Sequence, residues 1–544
     1  MVCTGHRGRR GRNRGKPSDP GQARRAPAAA SRAAQGFRQD SSRRRCLDAA
    51  PCRLCTLVFS RLTLRLIALP EAVFLKLFSP ITIHGLTLAN RLCVPAMVTR
   101  LSGEDGFVNE EIVRRYSAFA RGEAGLVVVE AMAVHRSKSG PLLRICGDEF
   151  KPGLRELRRK MAEAGPSRVA PQIIHFLKIS RSGWRQKVSD LSIAEIRQIA
   201  ADYAQAAVRA RDCGFDAVEL HMAHAYTLSS FLSKLNGRRD DYGGSLENRL
   251  RLPLEVLEGV RRAVGSDFCV GVRFDAEECI KGGYTSEESR VIAWRLAQGG
   301  ADYLSLSAGG KFEDAQPRPG EPLYPYTGYS GERTMPGANH PDGANLPMVA
   351  AVKQFLRERG CQTPVLASGK ISTPELAEKV LLSGTADLIG MARPLLADPM
   401  WPRKVREGHF DRVIRCCYAN VCKAKDEHFQ TVTCFLWPKG ATQAPLSEDQ
   451  EAPCWPQGAG LDASIRQGRV TLSWRQATDN EAVYGYDVWR GEGGELRRIA
   501  AVPAGLLAYH DATVVCGVRY EYEVKAYDLA GNRSISSNRV CVQA

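Results

Sequence analysis

The run Glu219-Leu-His221-Met-Ala-His224-Ala-Tyr226 carries residues able to do chemistry. Two imidazoles three residues apart, at a strand end and in the turn after it, can converge on one oxygen. They would donate hydrogen bonds to a carbonyl or nitro group as charge builds on it, and the Tyr226 phenol could supply a proton. The plain alternative is that one imidazole, His224 more readily than His221, only caps local backbone.

Arg273 closes the apolar run Val270-Gly-Val-Arg273. A buried arginine needs an anionic or strongly polar partner, and the N1/C2 carbonyl region of a reduced flavin is one. Gln172 ends a second apolar run, where an amide can read the flavin pyrimidine ring as donor and acceptor. Ser368-Gly369-Lys370 and Met391-Ala392-Arg393 follow two further runs. Loops so placed, with an adjoining helix N-terminus, form phosphate sites in barrels. Beyond them stand Cys416, Cys417, Cys422 and Cys434. Four thiolates would give a [4Fe–4S] site and three a damaged or [3Fe–4S] one; zinc is a further reading of the same thiols.

Such residues must be positioned by a scaffold. Strand candidates occur at Arg91–Pro95, Leu126–Glu130, Val169–Ile174, Ala217–His221, Cys269–Arg273, Tyr303–Ser307, Val365–Ser368 and Leu388–Met391. Helical patterns lie between them, at Ile193–Cys213, Leu250–Val264, Ser286–Gln298 and Pro374–Leu382. Alternation of this kind predicts an α/β protein built on a (β/α)8 TIM barrel, with catalytic groups at the strand C-termini. Residues 438–462 are rich in Pro, Gly and polar residues and read as a linker. From 463 to 544 the pattern has period two, as in Val470–Trp474 and Tyr520–Tyr527, with turn residues between. That predicts a C-terminal all-β, immunoglobulin-like sandwich.

The chain resembles the Old Yellow Enzyme family of NADH:flavin oxidoreductases, in the branch of 2,4-dienoyl-CoA reductase and trimethylamine dehydrogenase. The segments that carry the resemblance are Leu77–Ile83, Asn90-Arg91, His221-x-x-His224-x-Tyr226, Tyr242-Gly-Gly-Ser-Leu-Glu247-Asn248-Arg249 and Gly390–Pro399. It spans roughly residues 75–440, and the Tyr-Gly-Gly-Ser-x-Glu-Asn-Arg loop is its most specific part. It implies FMN at the barrel mouth, lined by Pro95, Ala96, Met97, Ala131, Gln172, Arg273, Gly369, Ala392 and Arg393. It further implies that His221 and His224 hold a substrate carbonyl and that Tyr226 donates the proton. Hydride would pass from flavin N5 to an activated C=C bond. Val98 stands where some relatives carry Cys or His, and Gly309-Gly310-Lys311 offers no His where dienoyl-CoA reductase uses one.

Cluster-bearing relatives space a second cysteine ligand where this chain has Ala419, and Cys417 lies two residues earlier. Two residues span up to about 7 Å, so Cys417 serves only if the loop reshapes. No G-x-G-x-x-G follows residue 440, so no second nucleotide module is expected there. The C-terminal region resembles instead a fibronectin type III domain, through Trp474, Tyr486, Tyr522 and Ala530-Gly531-Asn532. Electrons would then reach FMN from NAD(P)H directly or from a separate redox partner. The expected reaction is reduction of α,β-unsaturated carbonyl compounds or enoyl thioesters. The alternatives are an amine dehydrogenase or demethylase of the trimethylamine type, and a non-catalytic barrel with a binding module.

The domain plan is an Arg-rich extension at 1–70, a barrel at 75–400, a cysteine-rich segment at 401–437, the linker, and the sandwich. Hydrophobic residues make up 44 % of the chain, enough for large cores. The net charge of +17 is concentrated: sixteen basic and three acidic residues fall in 1–70, leaving +4 for the remaining 474. A nucleic-acid partner is therefore not implied for the body. The extension reads as a disordered segment without function, an organelle-targeting segment or an anion-binding arm. The apolar run Leu54–Leu77 is broken by charges and is no membrane span. Seventeen scattered cysteines, Cys52-x-x-Cys55 among them, fit reduced thiols in a cytoplasmic protein. A small-molecule substrate and a homo-oligomer complete the expectation.

Overall fold

The computed structural model describes residues 74–137, 140–178, 186–310, 331–447, 449–457, 460–466 and 468–544. The extension at 1–70, with Cys52 and Cys55, and also Lys311 lie outside the described residues.

The apolar runs are buried on both faces, as parallel strands covered by helices must be. They form β1 (Leu92–Val94), β2 (Leu126–Ala133), β3 (Arg168–Ile174), β4 (Ala217–Met222), β5 (Cys269–Asp275), β6 (Tyr303–Ser307), β7 (Val365–Ser368) and β8 (Leu388–Gly390). The eight pair in chain order, and β8 closes on β1 through Ile389–Leu92 and Gly390–Cys93. This is the expected TIM barrel. Strands β2, β4 and β5 run further than expected: Met132 and Ala133 pair with β3 beyond a register shift that takes in Glu130, and Met222 and Asp275 continue the ladders of β4 and β5.

Period two separates two cores. Outward residues such as Val218, Leu220, Val270 and Val272 pack under the helices. Inward residues Cys93, Leu126, Val128, Ala170, Ala217, Cys269, Tyr303, Leu366 and Leu388 fill the barrel, and Ile83 and Leu88 of a short hairpin join that core. Further along the same strands the inward face turns polar, with Gln172, Glu219, His221, Arg273, Ser305 and Ser307. Gly271 makes this transition fit: a Cβ there would lie 2.0 Å from the Tyr303 ring. Tyr303 can thus cross the interior and donate to Glu219 Oε2 at 3.2 Å.

Helices start where capping chemistry starts them. Ser192 and Glu195 form a capping box on Ile193–Asp212, and Thr285 and Thr373 cap Ser286–Gln298 and Pro374–Leu382. The helix expected from Leu250 begins at Leu246, because Ser245 accepts from the Asn248 amide.

The C-terminal region holds β9 (Leu461–Arg466), β10 (Arg469–Trp474), β11 (Val483–Gly491), β12 (Arg497–Pro503), β13 (Ala508–Asp511), β14 (Arg519–Asp528) and β15 (Val540–Gln543). One antiparallel sheet has the order β9-β10-β13 and the other β12-β11-β14-β15. They share a core of Val470, Leu472, Trp474, Tyr486, Val488, Tyr520, Tyr522 and Val524. The arrangement is a sandwich, as the period-two pattern predicts. The chain before it is tied down: Arg115 donates to Gln443 Oε1 and to the Thr442 carbonyl, and Asn532 to the Asp449 and Glu451 carbonyls. No helix among the described residues is long and apolar enough to cross a membrane.

Candidate functional site

The polar ends of the barrel strands open into one cleft of about 1170 Å³, counting its mouth. Pro95, Ala96, Met97, Ala131, Gln172, His221, His224, Tyr226, Arg273, Gly369, Ala392 and Arg393 all line it. The twelve barrel residues expected at the flavin and substrate site are therefore brought to one place, and Val98 joins them.

The register of β4 against β5 sets His221 beside Arg273. His221 Nδ1 accepts the Ala223 amide at 3.2 Å, which leaves the ring proton on Nε2. That Nε2 lies 3.3 Å from His224 Nδ1. His224 reaches this position because it and Ala225 adopt left-handed backbone, with φ of 62° and 60°. Its amide is held by Asp275 Oδ2 at 2.8 Å, and its Nε2 meets Ser307 Oγ at 2.6 Å. Burial, reinforced by the Arg273 charge, drives both imidazoles well below their ordinary pKa, so both rings are neutral. The Tyr226 ring stands edge-on to His221 with centroids 5.0 Å apart.

Around this pair burial favours neutral carboxyl groups. Glu219 accepts from Gln172 at 2.7 Å and is raised above its ordinary value by burial. Burial also raises Asp275. Glu130 is pushed up to about 7 by burial, against the two hydrogen bonds it accepts from Thr99.

The donor set suits FMN on three observations. Arg273 Nε is buried without a partner, where a flavin carbonyl edge would meet it. Ser368 Oγ, beside the phosphate-site glycine, is also buried and unpartnered. Gly369 has φ of 125°, and a Cβ there would come within 2.5 Å of Asn345, so the cradle admits no side chain. Arg393 Nη1 donates to the Pro336 carbonyl at 2.7 Å and to Asn420 Oδ1 at 2.6 Å. It thereby links the cleft to the cysteine segment.

The thiols of Cys416, Cys417, Cys422 and Cys434 sit in one apolar shell with Leu396, Ile414, Val432, Leu436 and Trp437, and Cys422 also lines the cleft. Tyr418 N donates to Cys416 Sγ and Leu436 N to Cys434 Sγ, each at 3.4 Å. Such bonds favour thiolate over thiol. Burial opposes them in the absence of a cation and pushes Cys416 up to about 12. Cys434 feels the charge of all three other thiols. No three of these sulfurs lie within 4.8 Å of one another, which is too open for one zinc ion. Buried thiols in one shell, two of them accepting backbone amides, are a donor set of the kind that holds an iron–sulfur centre. Cys417 stands in the same shell as the other three thiols.

Ser307, Asn345 and Asn420 were not singled out from the sequence as site residues, whereas Ser368 was expected at the phosphate loop and lines the cleft. Ser307 was legible in principle, being an even step from inward Tyr303 at the end of β6. The asparagines lie on loops with no periodic signal.

Residues 155–412 match the model of the NADH:flavin oxidoreductase / NADH oxidase family. The chain is 32 % identical over 403 residues to an NADH oxidase of Thermoanaerobacter brockii, covering 70 % of this chain and 58 % of that one. It thus spans little more than half the length of that relative. It is 33 % identical over 342 residues to an NADPH dehydrogenase of Geobacillus sp. (strain WCH70), covering 60 % of this chain and 92 % of that one. The solved 6-hydroxypseudooxynicotine amine oxidase of Pseudomonas geniculata N1 superposes with a TM-score of 0.59 at 24 % identity, over 71 % of this chain and 57 % of that one, and shares the fold. With a near-complete match to one relative and a cleft whose lining fits a flavin, this chain belongs to the NADH:flavin oxidoreductase / NADH oxidase family.

Proposed function

We propose that this chain is an FMN-dependent oxidoreductase of the ene-reductase type, acting on the C=C bond of α,β-unsaturated carbonyl compounds or enoyl thioesters. The observation that carries the reading is the opposed pair His221 and His224, both neutral, with facing nitrogens 3.3 Å apart. A carbonyl oxygen placed to one side of the pair, within hydrogen-bond reach of both nitrogens, accepts hydrogen bonds that strengthen as negative charge moves onto it. Because the rings are neutral, they donate without giving up a proton. That leaves the Tyr226 hydroxyl as the acid that protonates the α-carbon.

Arg273 and Gln172 would hold the flavin ring, Pro95, Ala96, Met97 and Ala131 its apolar face, and Gly369, Ala392 and Arg393 its phosphate. When bound, FMN supplies the hydride. NAD(P)H is the proposed reductant, which the similarity to chains named NADH oxidase and NADPH dehydrogenase supports; a separate redox partner is the other route. Cys416, Cys417, Cys422 and Cys434 would hold a [4Fe–4S] cluster, which supplies one-electron transfer beside the cleft. The thirteen described cysteines all carry free thiols, which supports a cytoplasmic setting.

An amine substrate is disfavoured by the same pair. A cationic amine prefers an aromatic bowl, and Tyr226 and Tyr418 are the only Tyr, Phe or Trp among the described lining residues. The test is anaerobic turnover of the FMN-loaded chain with NADPH and 2-cyclohexenone, set against turnover of trimethylamine with an artificial electron acceptor. Enone reduction that falls in His221→Ala and His224→Ala supports the proposal; amine oxidation without enone reduction overturns it.

A further inference from the structure

The sandwich meets the cysteine segment with the face of its four-stranded sheet that points away from the sandwich core. Tyr484, Ala501 and Tyr527 leave that core and join the apolar shell of the four thiols. Asp487 on the same face is fully buried and anchors two arginines, Arg498 at 2.6 Å and Arg533 at 2.9 Å. Burial works against the Asp487 carboxylate, yet the two guanidinium groups hold it below its ordinary value. These arginines reach past the sheet: Arg498 donates to the Arg415 carbonyl at 3.1 Å and Arg533 to the Val413 carbonyl at 2.8 Å. The approach is so close at Gly531 that a Cβ there would lie 1.7 Å from the Arg412 carbonyl oxygen.

Two polar atoms at this junction lack partners. The Tyr484 and Tyr527 hydroxyls are both buried with no hydrogen bond. A buried hydroxyl without an acceptor is costly, and two on one wall call for a ligand. Both tyrosine rings pack in the apolar shell that takes in Cys417 and Cys434. Deprotonated cysteine sulfurs, or the sulfides of a bound cluster, are acceptors of the missing kind.

We propose that the C-terminal sandwich is the closing wall of the cysteine site, and that Tyr484 and Tyr527 donate hydrogen bonds to the sulfur of the iron centre held there. The inference rests on the cluster reading above and gives the sandwich a role that a spacer would not have. Donors to sulfur stabilise the more negative, reduced centre and so raise its reduction potential. They are positioning residues and form no bond to iron.

The experiment loads the full-length chain with iron and sulfide under anaerobic conditions and follows iron content and an EPR-monitored redox titration. In Tyr484→Phe and Tyr527→Phe the iron per chain is expected to stay at the wild-type level while the midpoint moves to lower potential. Tyr520→Phe, on the opposite face of the same sheet, is the control and leaves the midpoint in place. A fully loaded pair of variants with an unmoved midpoint overturns the tyrosine assignment alone. A wild-type chain that takes up no iron overturns the cluster reading and this inference together.

A second variant tests the wall without relying on the tyrosines. Gly531→Ala must push the sandwich off the cysteine segment, whereas Gly517→Ala carries the same backbone strain (φ of 85° against 88°) with nothing within 4 Å. In the metal-free chain, alkylation of the four thiols by iodoacetamide is expected to quicken at least several-fold in Gly531→Ala and not in Gly517→Ala. Equal rates in both variants overturn the wall.

Discussion

His221 Nε2 and His224 Nδ1 face each other across 3.3 Å, and each ring is held from behind by a second contact. The Ala223 amide fixes the His221 proton on Nε2. Ser307 Oγ, at 2.6 Å from His224 Nε2, can donate to the other ring or accept from it. When the serine hydroxyl donates, the His224 proton moves to Nδ1, and two N–H groups then point at the space between the rings.

Removing that control should cost turnover. In Ser307→Ala the free His224 ring can keep its proton on Nε2 and accept from His221, so the pair satisfies itself and no longer greets a carbonyl. Loss of one such hydrogen bond is worth about 1.4 kcal/mol, about tenfold in kcat/KM for an enone. Reduction of the flavin by NADPH should be unchanged, since Ser307 acts on the acceptor side. Steady-state and half-reaction kinetics check both halves, and Ser307→Thr should recover much of the loss.

Glu130 makes stability fall with pH. Burial raises its folded pKa from 4.5 to about 7, so between those values the folded chain holds a proton that the unfolded chain has lost. The folded state binds more protons in that window, so stability decreases as pH rises through it and levels off above about 7. The full shift corresponds to about 3 kcal/mol. Urea unfolding at pH 5 and pH 8 should show the decrease in the wild-type chain and a smaller one in Glu130→Gln.

Arg273→Met should weaken FMN binding. The guanidinium is buried with Nε unpartnered, and a charged hydrogen bond of this type contributes about 1.5–3 kcal/mol. The dissociation constant for FMN, read by flavin fluorescence, should rise about ten- to hundredfold. Lysine at this position should recover only part, because it lacks the planar fork.

Cys417 and Ala419 separate two ligand assignments. Cys417 shares the apolar shell of the other three thiols. Cys417→Ala should therefore lose most of the iron taken up on anaerobic loading, with fewer than four irons per chain. Ala419→Cys alone should add no iron. Iron and acid-labile sulfide analysis checks both.

The barrel was legible because parallel strands buried on two faces leave continuous apolar runs, and those runs survive in Leu126–Val129 and Val270–Val272. The His221–Arg273 neighbourhood followed, because strand ends in a barrel all face one mouth. Glu130 and Glu219 were harder. A carboxylate inside a strand reads as a strand end or a solvent-facing residue, and only the inward register with Tyr303 and Gln172 explains Glu219. The outer sheet face was hidden for a related reason. Alternation marks one face as core and the other as solvent, and a register shift between Val483 and Gly485 further masks where Tyr484 points. Asn345 and Asn420 meet the cleft through contacts far apart in sequence, which no local pattern announces.

The most direct measurement is a single-turnover spectral titration of the anaerobic, FMN-loaded chain. NADPH is added until the flavin absorbance bleaches, and one equivalent of 2-cyclohexenone follows. The expected result is recovery of the oxidised flavin spectrum with one equivalent of cyclohexanone formed, fast in the wild-type chain and slowed in His221→Ala. Flavin that bleaches but is not reoxidised by the enone would contradict the assignment of His221 and His224 as carbonyl-binding donors.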